Sequence, residues 1–157
     1  MVDVEGECGR SAEAGFTDAL TGLPNRVGFE AILDHEERRC RRYAGDPAVF
    51  VIDLAPADGR MAEDDVVRGA AATVSSSIRD TDALARVDRA RLAVLATQCD
   101  DPGFLAGRLK LWLELDGFHA SVRGRRRGDD LLESWREIDR GPTPEPTGER
   151  DRRTGGC

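Results

Sequence analysis

Ala83 to Ala96 reads Ala-Leu-Ala-Arg-Val-Asp-Arg-Ala-Arg-Leu-Ala-Val-Leu-Ala. Two largely apolar runs, 83–87 and 90–96, flank the polar pair Asp88-Arg89, which predicts a tight β-hairpin. Upstream, Ala48–Leu54 (AVFVIDL) is a short apolar run with β-branched residues, the composition of a central strand buried on both faces. Between the two, Asp64-Asp65 opens a helix with Val67, Ala70, Ala71, Val74 and Ile78 on one face. Pro24 suits the first turn of an earlier helix, which Phe29, Ile32, Leu33, Cys40 and Tyr43 continue until Gly45-Asp46-Pro47 stops it. Beyond the hairpin, Asp101-Pro102 starts a helix with Leu105, Leu109, Trp112 and Leu113 inward. Gly117–Arg123 reads as a strand, and Asp129–Asp139 as a last helix with Leu132, Trp135 and Ile138 at helical spacing. This order predicts an α/β sandwich, a mostly antiparallel central sheet flanked by helices.

Composition narrows the function classes. A chain of 157 residues with 39% hydrophobic content suits one domain with one core. The formal net charge of −7 argues against general nucleic-acid binding. No apolar run approaches the ~20 residues of a membrane span, and the start, MVDVEGECGR, has neither a basic nor an apolar export region. Cys8, Cys40, Cys99 and Cys157 are scattered with no CxxC pair, which argues against a zinc site and suits a reducing cytoplasm. The folded domain is expected over 16–140. Residues 1–15 have no apolar period, and 141–157 (GPTPEPTGERDRRTGGC) are rich in Pro, Gly, Thr and charge, so both are expected to be disordered tails.

Asp18 to Arg26 reads DALTGLPNR, which resembles the opening signature of the GGDEF (diguanylate cyclase) family almost letter for letter. Asp53 ends an apolar strand where that family places its first metal-binding aspartate. Ser77 to Val87, SIRDTDALARV, looks like the approach to the family's Gly-Gly-Asp/Glu-Glu-Phe hairpin. His119 to Val122, HASV, resembles its late strand, with Arg123 where a glycine is usual. The resemblance covers most of the folded region. It implies the palm-like sandwich shared with class III nucleotidyl cyclases.

The chemistry of that family joins two GTP molecules held by two facing domains, and needs metal ions, ligands for them and room for triphosphates. Here the hairpin tip is Asp88, Arg89, Ala90, Arg91 and Leu92, so every signature letter differs. Ala90 stands at the position of the second metal-binding acid, and Arg91 reverses the next charge. Asp88 and Arg89 replace the glycines that let backbone approach phosphate. The family's FKxxND and AKxxGRN segments have no counterpart. The expectation is a degenerate GGDEF domain that is not an enzyme and takes no cofactor or metal, with Asp53 a vestigial ligand.

One ligand feature matches. Arg79-Asp-Thr-Asp82 has the form and position of the family's RxxD motif, which implies a site for cyclic di-GMP at Arg79 and Asp82, with Arg108 on the following helix a further candidate. A guanidinium fork suits phosphate, and a carboxylate accepts two N–H groups from guanine. A purely structural reading stands beside it: Arg79 on a helix C-terminal dipole and Asp82 as a turn residue. The first reading makes the chain a cyclic di-GMP receptor acting on a protein partner. The second leaves a ligand-independent interaction module that regulates a cyclase or another partner; a homodimer is compatible with both. Arg123, Arg125, Arg126 and Arg127 read as a solvated basic loop, His35 and His119 as ordinary histidines, and Trp112 and Trp135 as core.

Overall fold

The computed structural model of the chain describes residues 15–55 and 63–141. Of the tails expected at 1–15 and 141–157, only Gly15 and Gly141 fall among them; the rest of those two expectations lies outside the described residues. Strands β1 (Ala48–Leu54), β2 (Ala83–Asp88), β3 (Arg91–Ala96) and β4 (Ala120–Arg126) form a sheet in the order β2-β3-β1-β4, each neighbouring pair antiparallel. Helices α1 (Arg26–Tyr43), α2 (Glu63–Ser77), α3 (Pro102–Leu115) and α4 (Leu131–Asp139) flank it. Among the described residues no helix is long and apolar enough to cross a membrane.

The alternation of β1 distributes the core. Phe50, Ile52 and Leu54 pack with Val67 and Val74 of α2 and with Leu109 and Leu113 of α3. Val49 and Val51 pack on the other face with Phe29 and Leu33 of α1 and with Leu131, Trp135 and Ile138 of α4. Both faces are covered, so every residue of β1 is buried, as its unbroken apolar run requires. Directly opposed residues of antiparallel strands share a face. Asp53 opposes Arg91, and Val51 opposes Arg123, so all three charged side chains turn toward the α1/α4 layer. On the other face Phe50 opposes Gly124, where an added Cβ would lie 2.4 Å from the Phe50 ring.

Segment 18–26 is a clamp. The Asp18 carboxylate accepts from Thr21 N (2.9 Å) and Thr21 Oγ1 (2.8 Å), and Gly22 turns the chain at φ +75°, a conformation that favours glycine. Arg86 of β2 donates to Asp18 at 3.1 Å, while its backbone N donates to Pro24 O at 2.9 Å. Asn25 caps α1 by accepting from Gly28 N at 2.9 Å. Pro24 therefore lies one residue outside the cap rather than in the first helical turn.

Other boundaries also move. Asp88 pairs with Arg91, so the hairpin turn is Arg89-Ala90, one residue later than the polar pair indicates. Neither turn residue takes a positive φ, and a bulge between Arg86 and Asp88 accommodates the connection. β4 starts at Ala120 because Gly117, at φ +93°, belongs to the exit from α3. Of the arginines expected in a loop, Arg123, Arg125 and Arg126 lie in this edge strand and Arg127 directly follows it, and they have partners. Arg125 meets Glu137 at 2.7 Å, Arg126 donates to Asp100 O, and Arg127 donates to Glu37 at 2.7 and 2.6 Å. Tyr43 and Trp112, expected inward, are 68% and 47% exposed because each lies off the buried stripe of its helix.

Glu37 joins α1 to the start of α4. It is buried and accepts from Arg127, from Arg41 Nε (2.8 Å) and from Leu131 N (2.9 Å). The Arg127 hydrogen bonds, opposed by burial and helped by Leu131 N and Arg41, hold its carboxyl at about 2 against an ordinary 4.5. A depressed folded-state value stabilises above the unfolded value, and that stability is lost as pH falls from about 4.5 toward 2. Glu37→Gln is expected to cost on the order of 3 kcal/mol at neutral pH and to flatten the acid limb of a urea-stability profile. An unchanged acid limb would show that Glu37 is not its source.

Candidate functional site

Two clefts lie at opposite ends of the central strands. Asp53 is at the hairpin-tip end of β1, whereas Ala48, five residues back and about 17 Å away along a strand, opposes Ala96 near the RxxD turn.

At the Asp53 end, a cleft of about 750 Å³ is bordered by Asp53, Asp88, Arg91, Lys110, His119 and Ser121. Asp53 is buried, and both its oxygens are engaged. Oδ1 accepts from Arg91 Nε at 2.6 Å and Oδ2 from Arg123 Nη2 at 3.2 Å. Arg91 Nη1 continues to Asp139 O (2.7 Å) and Oδ1 (3.0 Å), and Arg26 reaches the other Asp139 oxygen at 2.5 Å. The result is a line of alternating charges, Arg123–Asp53–Arg91–Asp139–Arg26, tying β4, β1 and β3 to α4 and α1. Burial would raise the Asp139 carboxyl, but hydrogen bonds and charge from Arg26 and then Arg91 bring it below the ordinary value. Burial likewise opposes the charge on Arg91, and Asp53 followed by Asp139 more than offsets it. Sequence reasoning sees Arg91 only as a lost acid and misses Asp139 and Arg26. The available signal is electrostatic: an aspartate on a fully buried strand requires a cation, and Arg91 is the residue directly opposite.

At the other end, Arg79, Asp82 and Arg108 border one cleft of about 400 Å³, with Gln98, Asp101 and Phe104. The three residues singled out in sequence are thus brought together. Asp82 is mostly consumed by the turn: Oδ2 accepts from Arg79 N at 3.0 Å and Oδ1 from Thr97 N at 3.1 Å, and its side chain is 4% exposed. The Arg79 side chain is 62% exposed, and its guanidinium lies 3.8 Å from Asp82 and donates to Gln98 O. Arg108 is exposed and donates to Ser77 O at 3.4 Å. Both guanidinium groups donate to neutral carbonyls, and three carboxylates, Asp82, Asp100 and Asp101, border the same cleft. His35 and His119 are exposed and apart from this cleft.

The family model described as "Diguanylate cyclase, GGDEF domain" matches residues 15–129. Diguanylate cyclase DgcP of Pseudomonas aeruginosa is 30% identical over 115 residues, 68% of this chain; the chain spans 17% of that relative's length. The coiled coil and GGDEF domain of DgcB from Caulobacter crescentus, solved in complex with c-di-GMP, superposes with TM-score 0.72 at 18% identity, covering 87% of this chain and 83% of that one. A microbial GGDEF domain solved with bis-(3′,5′)-cyclic di-GMP gives TM-score 0.69 at 21% identity, covering 82% and 88%. These two likenesses establish the palm-like fold.

One expectation is corrected. The family description and the curated relative both name a diguanylate cyclase, so the reading of this chain as a non-enzyme from its altered hairpin does not stand. The divalent ion that such chemistry implies is a separate matter of fit. Asp53 has both oxygens on guanidinium groups, and among the described residues no three His, Cys, Asp or Glu side chains group so as to hold an ion. The residues present do not fit a metal at Asp53.

Arg91→Ala should strip Asp53 and Asp139 of a shared partner and cost about 3–5 kcal/mol in urea unfolding, as breaking a buried pair does. Arg91→Lys should recover only part of this, since one ammonium cannot span both carboxylates as the guanidinium fork does. A loss below about 1 kcal/mol in Arg91→Ala would place the pair among solvated surface bridges.

Proposed function

The chain belongs to the diguanylate cyclase GGDEF family, and we propose that it serves there as a cyclic di-GMP-responsive signalling domain, binding the dinucleotide at Arg79, Asp82 and Arg108 and passing occupancy to a protein partner. The observation that carries this reading is the convergence of those three side chains on one cleft of about 400 Å³. Two guanidinium groups held mainly by carbonyls beside a cavity suit a phosphodiester. The two GGDEF domains solved with cyclic di-GMP, similar to this chain in fold, lend further support.

Within the site the roles divide. Arg79 and Arg108 are the exposed anion contacts. Asp82 acts mainly by holding the turn that presents Arg79, since each of its oxygens already accepts one backbone N–H. A carboxylate oxygen keeps a second acceptor direction, which a guanine edge can share.

The second reading, pairing with a protein without any nucleotide, draws on the exposed apolar side chains of α3, Leu111 at 52% and Leu115 at 66%. The SiaD cyclase of Pseudomonas aeruginosa, similar in fold at TM-score 0.69 and 22% identity over 88% of this chain and 62% of that one, is solved with its activator SiaC.

Calorimetric titration with cyclic di-GMP separates them. Binding is expected, and Arg79→Ala should weaken it roughly ten- to a hundredfold, the value of one charge-assisted hydrogen bond. Asp82→Asn should weaken it too and also lower stability, because the amide oxygen cannot replace both carboxylate acceptors. Unchanged affinity in Arg79→Ala would move the site elsewhere, and no heat at high micromolar ligand would favour the protein-pairing reading.

A further inference from the structure

α3 carries an arrangement that the RxxD turn does not account for. Phe104, Arg108 and Trp112 follow one another at intervals of four along the helix, which places them in a row on one face. Leu109 and Leu113 bury another face against the sheet. Phe104 is 65% and Trp112 47% exposed, and two open aromatic rings bracketing a guanidinium on a rigid element are a costly use of surface unless something covers them.

Each ring has its own cleft. Phe104 borders the cleft of about 400 Å³ with Arg79 and Asp82. Trp112 borders a second, of about 470 Å³, with Thr73, Ser76 and Asp116. Arg108 and Ser77 border both, so the two clefts meet at the guanidinium. The second cleft offers what a purine nucleotide uses: a ring to stack on, hydroxyls, and Asp116, whose Oδ2 accepts from Thr73 Oγ1 at 2.6 Å and whose other oxygen can accept from N–H donors.

We propose that Phe104, Arg108 and Trp112 form a two-lobed reader for a purine dinucleotide, one base stacked on each ring and the intervening phosphate on Arg108. Eight residues of helix separate the rings by about 12 Å of rise, a span suited to two bases joined through phosphate and too long for one base to bridge. The proposal rests on the cyclic di-GMP reading above and extends it to the Trp112 lobe. Such a ligand carries two bases joined through phosphodiester linkages, one of which meets Arg108, and is bound in preference to a mononucleotide.

The test uses the full chain with cyclic di-GMP and GMP as probes, read by calorimetry and tryptophan emission. Of the two tryptophans, Trp135 is fully buried, so a ligand-dependent change reports Trp112. Cyclic di-GMP should alter the emission and bind well above GMP. Trp112→Ala should weaken cyclic di-GMP roughly five- to a hundredfold, the worth of one stacked base, and narrow the gap to GMP. Trp112→Phe should restore most of the affinity, which a merely structural role at an exposed position would not require. If Trp112→Ala binds as tightly as the parent while Arg79→Ala does not, the two-lobed reader is wrong and the Arg79 site stands. If the parent binds no cyclic di-GMP, both readings fall; self-association lost in Trp112→Ala would then mark this face as a protein contact.

Discussion

Burying a carboxylate in the middle of a four-stranded sheet is the constraint on which the rest of this molecule depends, and Arg91 is what meets it. Asp53 occupies a strand covered on both faces, and the residue opposite it in register supplies the cation at 2.6 Å. A buried pair of this kind adds little net stability over an apolar pair of equal volume, because desolvation offsets the attraction. Its influence is on arrangement. A slip of one residue between β1 and β3 would carry Asp53 into the apolar layer of Phe50, Ile52 and Val67. The same pair requires α4 to end where Asp139 can meet Arg91, and α1 to begin where Arg26 can meet Asp139. One buried charge thus coordinates three strands and two helices.

The two ends of the sheet consequently differ in electrostatic character. At the Asp53 end, Asp53 and Asp139 each meet two arginines within the protein. At the other, Arg79 and Arg108 rest on the carbonyls of Gln98 and Ser77, neutral acceptors that orient a guanidinium without cancelling its charge. Asp82, Asp100 and Asp101 border the same cleft, so the two arginines act as individual anion contacts rather than through a net positive field. The carboxylate nearest Arg79 is withdrawn into a turn, which keeps it from neutralising the arginine fully.

How much of this is legible in sequence follows from how each element is buried. AVFVIDL is unambiguous because a strand covered on both faces shows no alternation and little else produces seven such residues. α3 misleads because Leu105, Leu109, Leu111, Trp112, Leu113 and Leu115 are apolar on nearly all sides, so helical period cannot choose the inward face, and Trp112 falls on the wrong one. β4 misleads in the other direction: Arg-Gly-Arg-Arg resembles a loop, yet an edge strand tolerates charge, and Glu137 and Asp53 give those arginines partners. Glu36 and Glu37 look like surface acids on α1, and nothing local reveals that Arg127, some ninety residues on, meets Glu37. Pairing at long range is invisible to periodicity. The convergence of Arg79, Asp82 and Arg108 is accessible only because a turn and a helix of recognisable position bring them into one frame.

Segment 18–26, which resembles the family's opening signature, has structural tasks. Asp18 and Thr21 close a turn that Gly22 alone can make cheaply, Asn25 caps α1, and Arg86 ties the turn to β2. None of these residues needs a nucleotide to be useful, which is why a match through them carries the fold securely while saying little about the hairpin tip. The tip faces a different requirement. With Ala90 and Arg91 in place, the charge balance at Asp53 is met from within, by a covalently attached cation whose effective concentration no dissolved ion can match. Chemistry at that end must therefore work around a guanidinium, whereas at the Arg79 end the carboxylate of Asp82 stands farther off, at 3.8 Å. The exposure of the arginines, 10% at Arg91 and 62% at Arg79, rather than the count of retained letters, is what distinguishes the two ends.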